Sequence, residues 1–216
     1  MERSAAVDRV LAMLDAIENE PMPVPITEVW VFGDLALGLD PIDRLDIYLS
    51  KDMLFTQQSE VDREAAFREQ FGVQGIGSTV SATWAEQFPE YIRANDAGYA
   101  APERCLAAHL LPNDEPMHLE ICNAGFESNV TQRLQGARAR DAFAEILDPR
   151  GVCLWANGTR SETAPQKLRA GDYVFPTLAE SLEMIGLDAA EAERAAEAIH
   201  DWRSEQAGAS VRGDVV

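Results

Sequence analysis

With 216 residues, 46% of them hydrophobic, the chain is long enough to bury one sizeable core, which argues against a disordered protein. Its 37 acidic against 18 basic residues give a formal charge of −19, which argues against an extensive nucleic-acid surface, since that needs clustered cations to neutralise phosphates. No apolar run approaches the ~20 residues needed to cross a bilayer, and Met1-Glu-Arg-Ser4 lacks the basic start and apolar stretch of a signal peptide, so a cytoplasmic protein with no membrane partner is expected.

From the N-terminus, Val7, Val10, Leu11, Leu14 and Ile17 recur at helical spacing and predict a helix over residues 4–18 with Ser4 as its cap. Pro21, Pro23 and Pro25 stop it and lead into a β-rich run over 27–32 that ends at Gly33. Residues 44–50 predict a second strand. Ser59 is expected to cap a helix running to 69, with Val61, Ala65, Ala66 and Phe67 inward. The fold of 72–116 stays open: 75–80 reads as a short strand or a loop, while 82–94 and 101–111 read as helices. Residues 117–122 alternate as a third strand would, a helical pattern follows through 147, and 152–156 is a candidate fourth strand. From about residue 163 two or three helices are expected, among them 176–185 and 189–205, and 207–216 reads as a flexible tail. The expected fold is therefore α/β, a mixed sheet of about four or five strands flanked by helices, with residues 1–158 as the core and 159–206 as a helical C-terminal extension.

Metal-site patterns are sparse. Cys105, Cys122 and Cys153 are far apart and in no CxxC arrangement, so they are read as small buried hydrophobes, and no His-x-x-x-His spacing points to zinc. The informative constellation is Val29-Trp-Val-Phe-Gly33-Asp34-Leu-Ala-Leu-Gly38 followed by Asp43-Arg-Leu-Asp46-Ile-Tyr-Leu49. A strand, a glycine turn opening a short helix, and a second strand carrying acid resemble the hG[GS] and Dh[DE]h signature of the nucleotidyltransferase superfamily, of the polymerase-beta-like minimal type. The likeness runs over about residues 5–158, with a long insertion between Leu49 and Met117. It implies a nucleotidyltransferase-like core over 1–158, in which Gly33, Asp34 and Arg44 meet a nucleotide. It also implies that Asp46, with Glu120 on the 117–122 strand, serves as catalytic and metal-binding carboxylate for Mg²⁺, which would activate a hydroxyl for attack on the α-phosphate. The acid excess with only Lys51 and Lys167 as lysines resembles salt-adapted proteins of haloarchaeal character, whose self-repulsion is screened in strong salt.

The chain also departs from that pattern. Asp34 stands where the family has serine, an anion at the mouth of a phosphate turn that repels a triphosphate unless a cation intervenes. Arg44 aligns with the first carboxylate, so the acidic pair is broken in either register. The expected function is a non-catalytic nucleotidyltransferase-like protein with a nucleotide-binding or regulatory role in a salt-adapted cytoplasm, Arg44, Arg160 and Lys167 supplying positive charge near the cleft. Two alternatives stay open: an active metal-dependent nucleotidyltransferase with an atypical site, and an assembly or adaptor protein that uses the fold as a scaffold. The last would present Leu178, Leu182 and Ile185 of the C-terminal helices to a protein partner or a second copy in a homo-oligomer.

Overall fold

The computed structural model of the chain describes residues 1–55, 58–77, 94–111, 115–206 and 208–213. The order of elements is α1 (Arg3–Asn19), β1 (Ile26–Phe32), α2 (Gly33–Ala36), β2 (Leu45–Lys51), α3 (Gln58–Phe71), β3 (Gly75–Ile76), β4 (Tyr99–Ala100), α4 (Pro102–Leu110) and β5 (Met117–Cys122). It continues with α5 (Phe126–Arg140), a 3₁₀ turn (Phe143–Glu145), β6 (Val152–Ala156), β7 (Thr159–Arg160), α6 (Ala164–Ala170), α7 (Leu178–Met184), α8 (Ala189–Glu205) and β8 (Ser210–Gly213). Six strands form one mixed sheet in the order β7-β6-β1-β2-β5-β8, with β5 parallel to β2, β8 parallel to β5 and the other pairs antiparallel. Strands β3 and β4 form a separate parallel pair. The α/β class and the mixed sheet are those expected. Of the helix expected over 82–94, residues 82–93 lie outside the described residues.

The two faces of the sheet are written into the period-2 alternation of its strands. Val29 and Val31, Leu45, Ile47 and Leu49, Met117, Leu119 and Ile121, and Val211 build one face, and α1, α4 and α6 bury it in the main core. Helix α1 supplies Ala6, Val7, Val10, Met13, Leu14 and Ile17. Its cap is Glu2, without a side-chain hydrogen bond, in place of the expected Ser4. The intervening residues point the other way: Trp30 and Phe32, Asp46, Tyr48 and Ser50, His118, Glu120 and Cys122, then Ser210 and Arg212, with Arg44 just before β2 on the same side. Every residue of β2 and β5 is buried, as befits central strands covered on both faces.

Several expectations are corrected. Ser210–Gly213, read as flexible tail, is the edge strand β8, because backbone pairing to β5 and the side chains of Ser210 and Arg212 tie it down. Residue 158 itself lies in the turn between β6 and β7, whose Trp155 pairs with Arg160. In α3 only Phe67 is buried, while Val61, Ala65 and Ala66 face outward, since this helix lies at the periphery beside β3 and β4. The helical run after Gly125 ends at Asp141, whose backbone is left-handed, and resumes only as the 3₁₀ turn.

Helices α7 and α8 open with capping boxes, Thr177 with Glu180 and Asp188 with Glu191. They pack with α5 and the 3₁₀ turn in a second apolar cluster that contains Leu178, Leu182, Leu134, Phe143, Ala195 and Ile199. Leu178 and Leu182 are therefore consumed internally, not presented to a partner as the adaptor reading required, and Ile185 is 37% exposed. This packing delivers the last turn of α8 to the polar face of the sheet.

Candidate functional site

The site lies on that polar face, where β1 turns at Gly33 and the C-terminal elements close over β2 and β5. Gly33 has φ +64, a conformation that glycine enters without cost, and opens the four-residue α2. A Cβ there would collide with Asp46 Oδ2 and lie 3.0 Å from Arg203 Nη2, so the turn is packed directly onto an ion pair. Gly33→Ala is expected to lose stability beyond the ~1–3 kcal/mol of left-handed strain alone, because collision adds to it. Chemical denaturation reads the loss. Gly72→Ala, at φ +66 with open space around it, is the matched control for strain without collision.

Asp46 is fully buried and held at both oxygens. Arg44 donates from Nε to Oδ1 at 2.7 Å and places Nη2 2.6 Å from the same oxygen, while Arg203 Nη2 donates to Oδ2 at 2.7 Å. Arg203 Nη2 also lies 2.8 Å from Asp34 Oδ1. Asp34 Oδ2 accepts from the backbone N–H of Asp43 at 2.9 Å. The cation that Asp34 needs at the mouth of the turn is thus a side chain of α8. Burial pushes the Asp46 carboxyl upward, against the opposing pull of Arg203 and Arg44.

Glu120, fully buried on β5, anchors the neighbouring half of the site. Arg212 of β8 donates from Nε to Oε1 at 2.6 Å. Arg133 of α5 places Nη2 2.9 Å from Oε2 and donates to Cys122 Sγ at 3.1 Å and to the Gly213 carbonyl at 3.3 Å. His118 Nε2 lies 3.0 Å from Glu120 Oε1, and its Nδ1 lies 2.8 Å from Ser210 Oγ. A carboxylate only accepts, so Nε2 carries the proton and the serine hydroxyl donates to Nδ1. Burial lowers the basicity of His118, with the Glu120 hydrogen bond opposing. Burial alone would raise the Glu120 carboxyl, yet Arg212 and Arg133 hold it well below the usual carboxylate range. Trp202 completes the cover: its ring lies under the guanidinium of Arg212 at 4.4 Å and of Arg44 at 5.7 Å, with His118 edge-on at 5.3 Å.

The donor set does not fit Mg²⁺. A hard dication needs several free anionic oxygens, whereas Asp46 has both of its oxygens on arginines and Glu120 is surrounded by Arg212, Arg133 and His118. Among the described residues no group of three or more His, Cys, Asp or Glu is arranged to hold a metal. An open cleft of about 460 Å³ lies beside the locked carboxylates, lined by Asp34, Asp43, Arg44, His200, Arg203 and Ser204 among others.

The chain belongs to DUF7095, a family of unknown function. The match covers residues 2–216. No curated protein and no solved structure matches the chain.

Among the residues expected at the site, the fold brings Gly33, Asp34, Arg44 and Asp46 together, and places Glu120 on the strand beside β2, with Tyr48 as its register partner. It does not bring Arg160 or Lys167. Arg160 is bound to Asp15 and Glu18 of α1, and Lys167 sits over the Tyr173 ring. The cations that do arrive, Arg133, Arg203 and Arg212, were not read from the sequence. Arg203 lies in an alanine- and glutamate-rich helix and Arg212 in a segment that reads as tail, so no local pattern distinguishes them from solvated charges.

Proposed function

We propose that the chain is a nucleotidyltransferase-like protein that does not transfer a nucleotidyl group and that acts by binding a phosphate-bearing ligand, a nucleotide first of all, in the open cleft, in a regulatory role in a salt-adapted cytoplasm. The observation that carries this reading is the double arginine lock on Asp46: the carboxylate that the resemblance assigns to a metal is neutralised from both sides by Arg44 and Arg203 of the same chain. The strand pattern supports the likeness. A glycine turn ends β1, Asp46 sits on the antiparallel β2, and Glu120 follows on the parallel β5.

Chemistry at such a centre would require two divalent ions held near each other by several carboxylates, and here arginines take their place. The cleft keeps features that suit a phosphate. Arg44 and Arg203 border it, with His200 and Ser204 as further polar groups, and about 460 Å³ falls within the range of ~300–1,000 Å³ usual for small-molecule sites. Asp34 and Asp43 also border it, and Asp34 is already paired with Arg203.

Titration calorimetry with the four common nucleoside triphosphates, with and without Mg²⁺ or Mn²⁺ in molar KCl, tests the reading, together with an assay for pyrophosphate. The expected result is binding that does not require the metal and is weakened in Arg44→Ala, with no pyrophosphate released. Pyrophosphate release that disappears in Asp46→Asn would establish an active enzyme. No heat with any nucleotide would leave the fold serving as a scaffold.

A further inference from the structure

The arginine-filled face also contains a small cavity that shares Arg44, His200 and Arg203 with the open cleft, and we infer that it is a binding site for a single monatomic anion, with chloride as the physiological ligand. The inference rests on the arginine lock but not on nucleotide binding.

Charge is the first argument. Arg44, Arg133, Arg203 and Arg212 converge on Asp34, Asp46 and Glu120, four cations on three carboxylates. An arginine side chain cannot shed its proton in a protein, and a buried charge without compensation is costly. The surplus positive charge therefore calls for an anion from outside this set. Asp148 also acts on Arg203, but Arg150 binds both of its oxygens, from Nε at 3.0 Å and from Nη2 at 2.8 Å, so counting that pair as well leaves one cation in excess among these described groups.

The second argument is an unmet donor. Arg44 is only 6% exposed, and its Nη1 has no hydrogen-bond partner among the described residues, although Nε and Nη2 are both on Asp46. Buried guanidinium nitrogens are ordinarily satisfied.

Size and lining identify the occupant. Arg44, Arg203 and Arg212 line the cavity with Trp202, and Phe32 and Ile199 add apolar wall; Asp148 is the one acidic residue among those described that line it. The volume is about 20 Å³. One water needs at least ~10–15 Å³, so a single water or a monatomic ion fits and a phosphate does not. A water would leave the surplus charge in place, whereas chloride compensates it. The chain's formal charge of −19 repels anions at long range, and strong salt screens that repulsion, so occupancy rises with ionic strength.

The test compares thermal unfolding in potassium chloride, bromide and acetate at one constant ionic strength. The expected result is a melting temperature that rises with the chloride or bromide fraction and saturates, as a ligand that binds only the folded state requires, with the rise absent in Arg44→Met. Because that variant alters a buried pair, wild-type crystals soaked in bromide supply the second measurement, with an anomalous peak expected among Arg44, Arg203 and Arg212. A halide effect that persists unsaturated or unchanged in Arg44→Met, or a cavity without the bromide peak, overturns the inference. The nucleotide titrations read the open cleft separately, so the two ideas can fail independently.

Discussion

Replacing Asp46 by leucine is expected to cost about 3–5 kcal/mol of folding stability, the range for breaking a buried ion pair from one side. The carboxylate is fully buried, and its removal strands Arg44 Nε and Nη2 and weakens the hold on Arg203, while Arg44 Nη1 has no partner among the described residues. Urea unfolding of purified protein without nucleotide or metal reads the effect. The sign distinguishes two origins of the residue. A carboxylate kept for catalysis is commonly strained, and its removal tends to be neutral or stabilising, whereas one that holds the fold together is missed at once. A large loss supports the structural lock, and an unchanged or raised stability would return Asp46 to the role of a metal ligand. Asp46→Leu combined with Arg44→Met and Arg203→Met is expected to recover much of the loss, because well-packed apolar groups can replace a buried ionic cluster.

The second large effect is acid sensitivity. His118 faces Glu120, Asp46 and Arg44 as well as Ser210, and Glu120 faces Arg212, Arg133 and His118. For His118 the folded-state affinity for protons is lowered from the ordinary value of 6.5, so the unfolded chain takes up the proton first and stability falls as pH drops below that value. Glu120 is likewise depressed from its ordinary 4.5. Its contribution is fully present above that value and is lost as pH falls below it. Asp46 is shifted in the opposite direction and partly offsets the second stage. Unfolding free energy measured from pH 8 to pH 3 should therefore decline in two stages. Subtracting the Glu120→Gln profile should isolate a lower stage on the order of 2 kcal/mol, the size expected for one strongly paired carboxylate. Parallel profiles for wild type and Glu120→Gln would show that the arginines around Glu120 do not favour its ionised form.

The proton and charge balances share a physical origin. Ionic groups on a solvated surface contribute little, because water screens them. Here the C-terminal elements withdraw them from water, so each unmatched charge becomes a term comparable to the whole stability of a domain. The polar face is held by ion pairs as well as by apolar burial, and the partners lie far apart in sequence: Arg203 is 157 residues from Asp46, and Arg212 is 92 from Glu120.

That separation sets the division between what could be read early and what could not. The alternation of Leu45, Ile47 and Leu49 with Asp46 and Tyr48 determined by itself that β2 has one apolar and one polar face, because a strand's side chains point alternately to opposite sides. Helical spacing in residues 7–17 was equally local, and so was the glycine turn after β1. Tertiary structure decided what covers the polar face. Parallel pairing of β8 to β5 converts an expected tail into a sheet edge, and the packing of α7 and α8 on α5 swings Trp202 and Arg203 over Asp46. Neither event has a periodic signature, since a lone arginine in a helix or a four-residue strand looks the same whether it ends in solvent or against a carboxylate. The strands themselves specify where the acids stand, and the long-range contacts specify that arginines hold them.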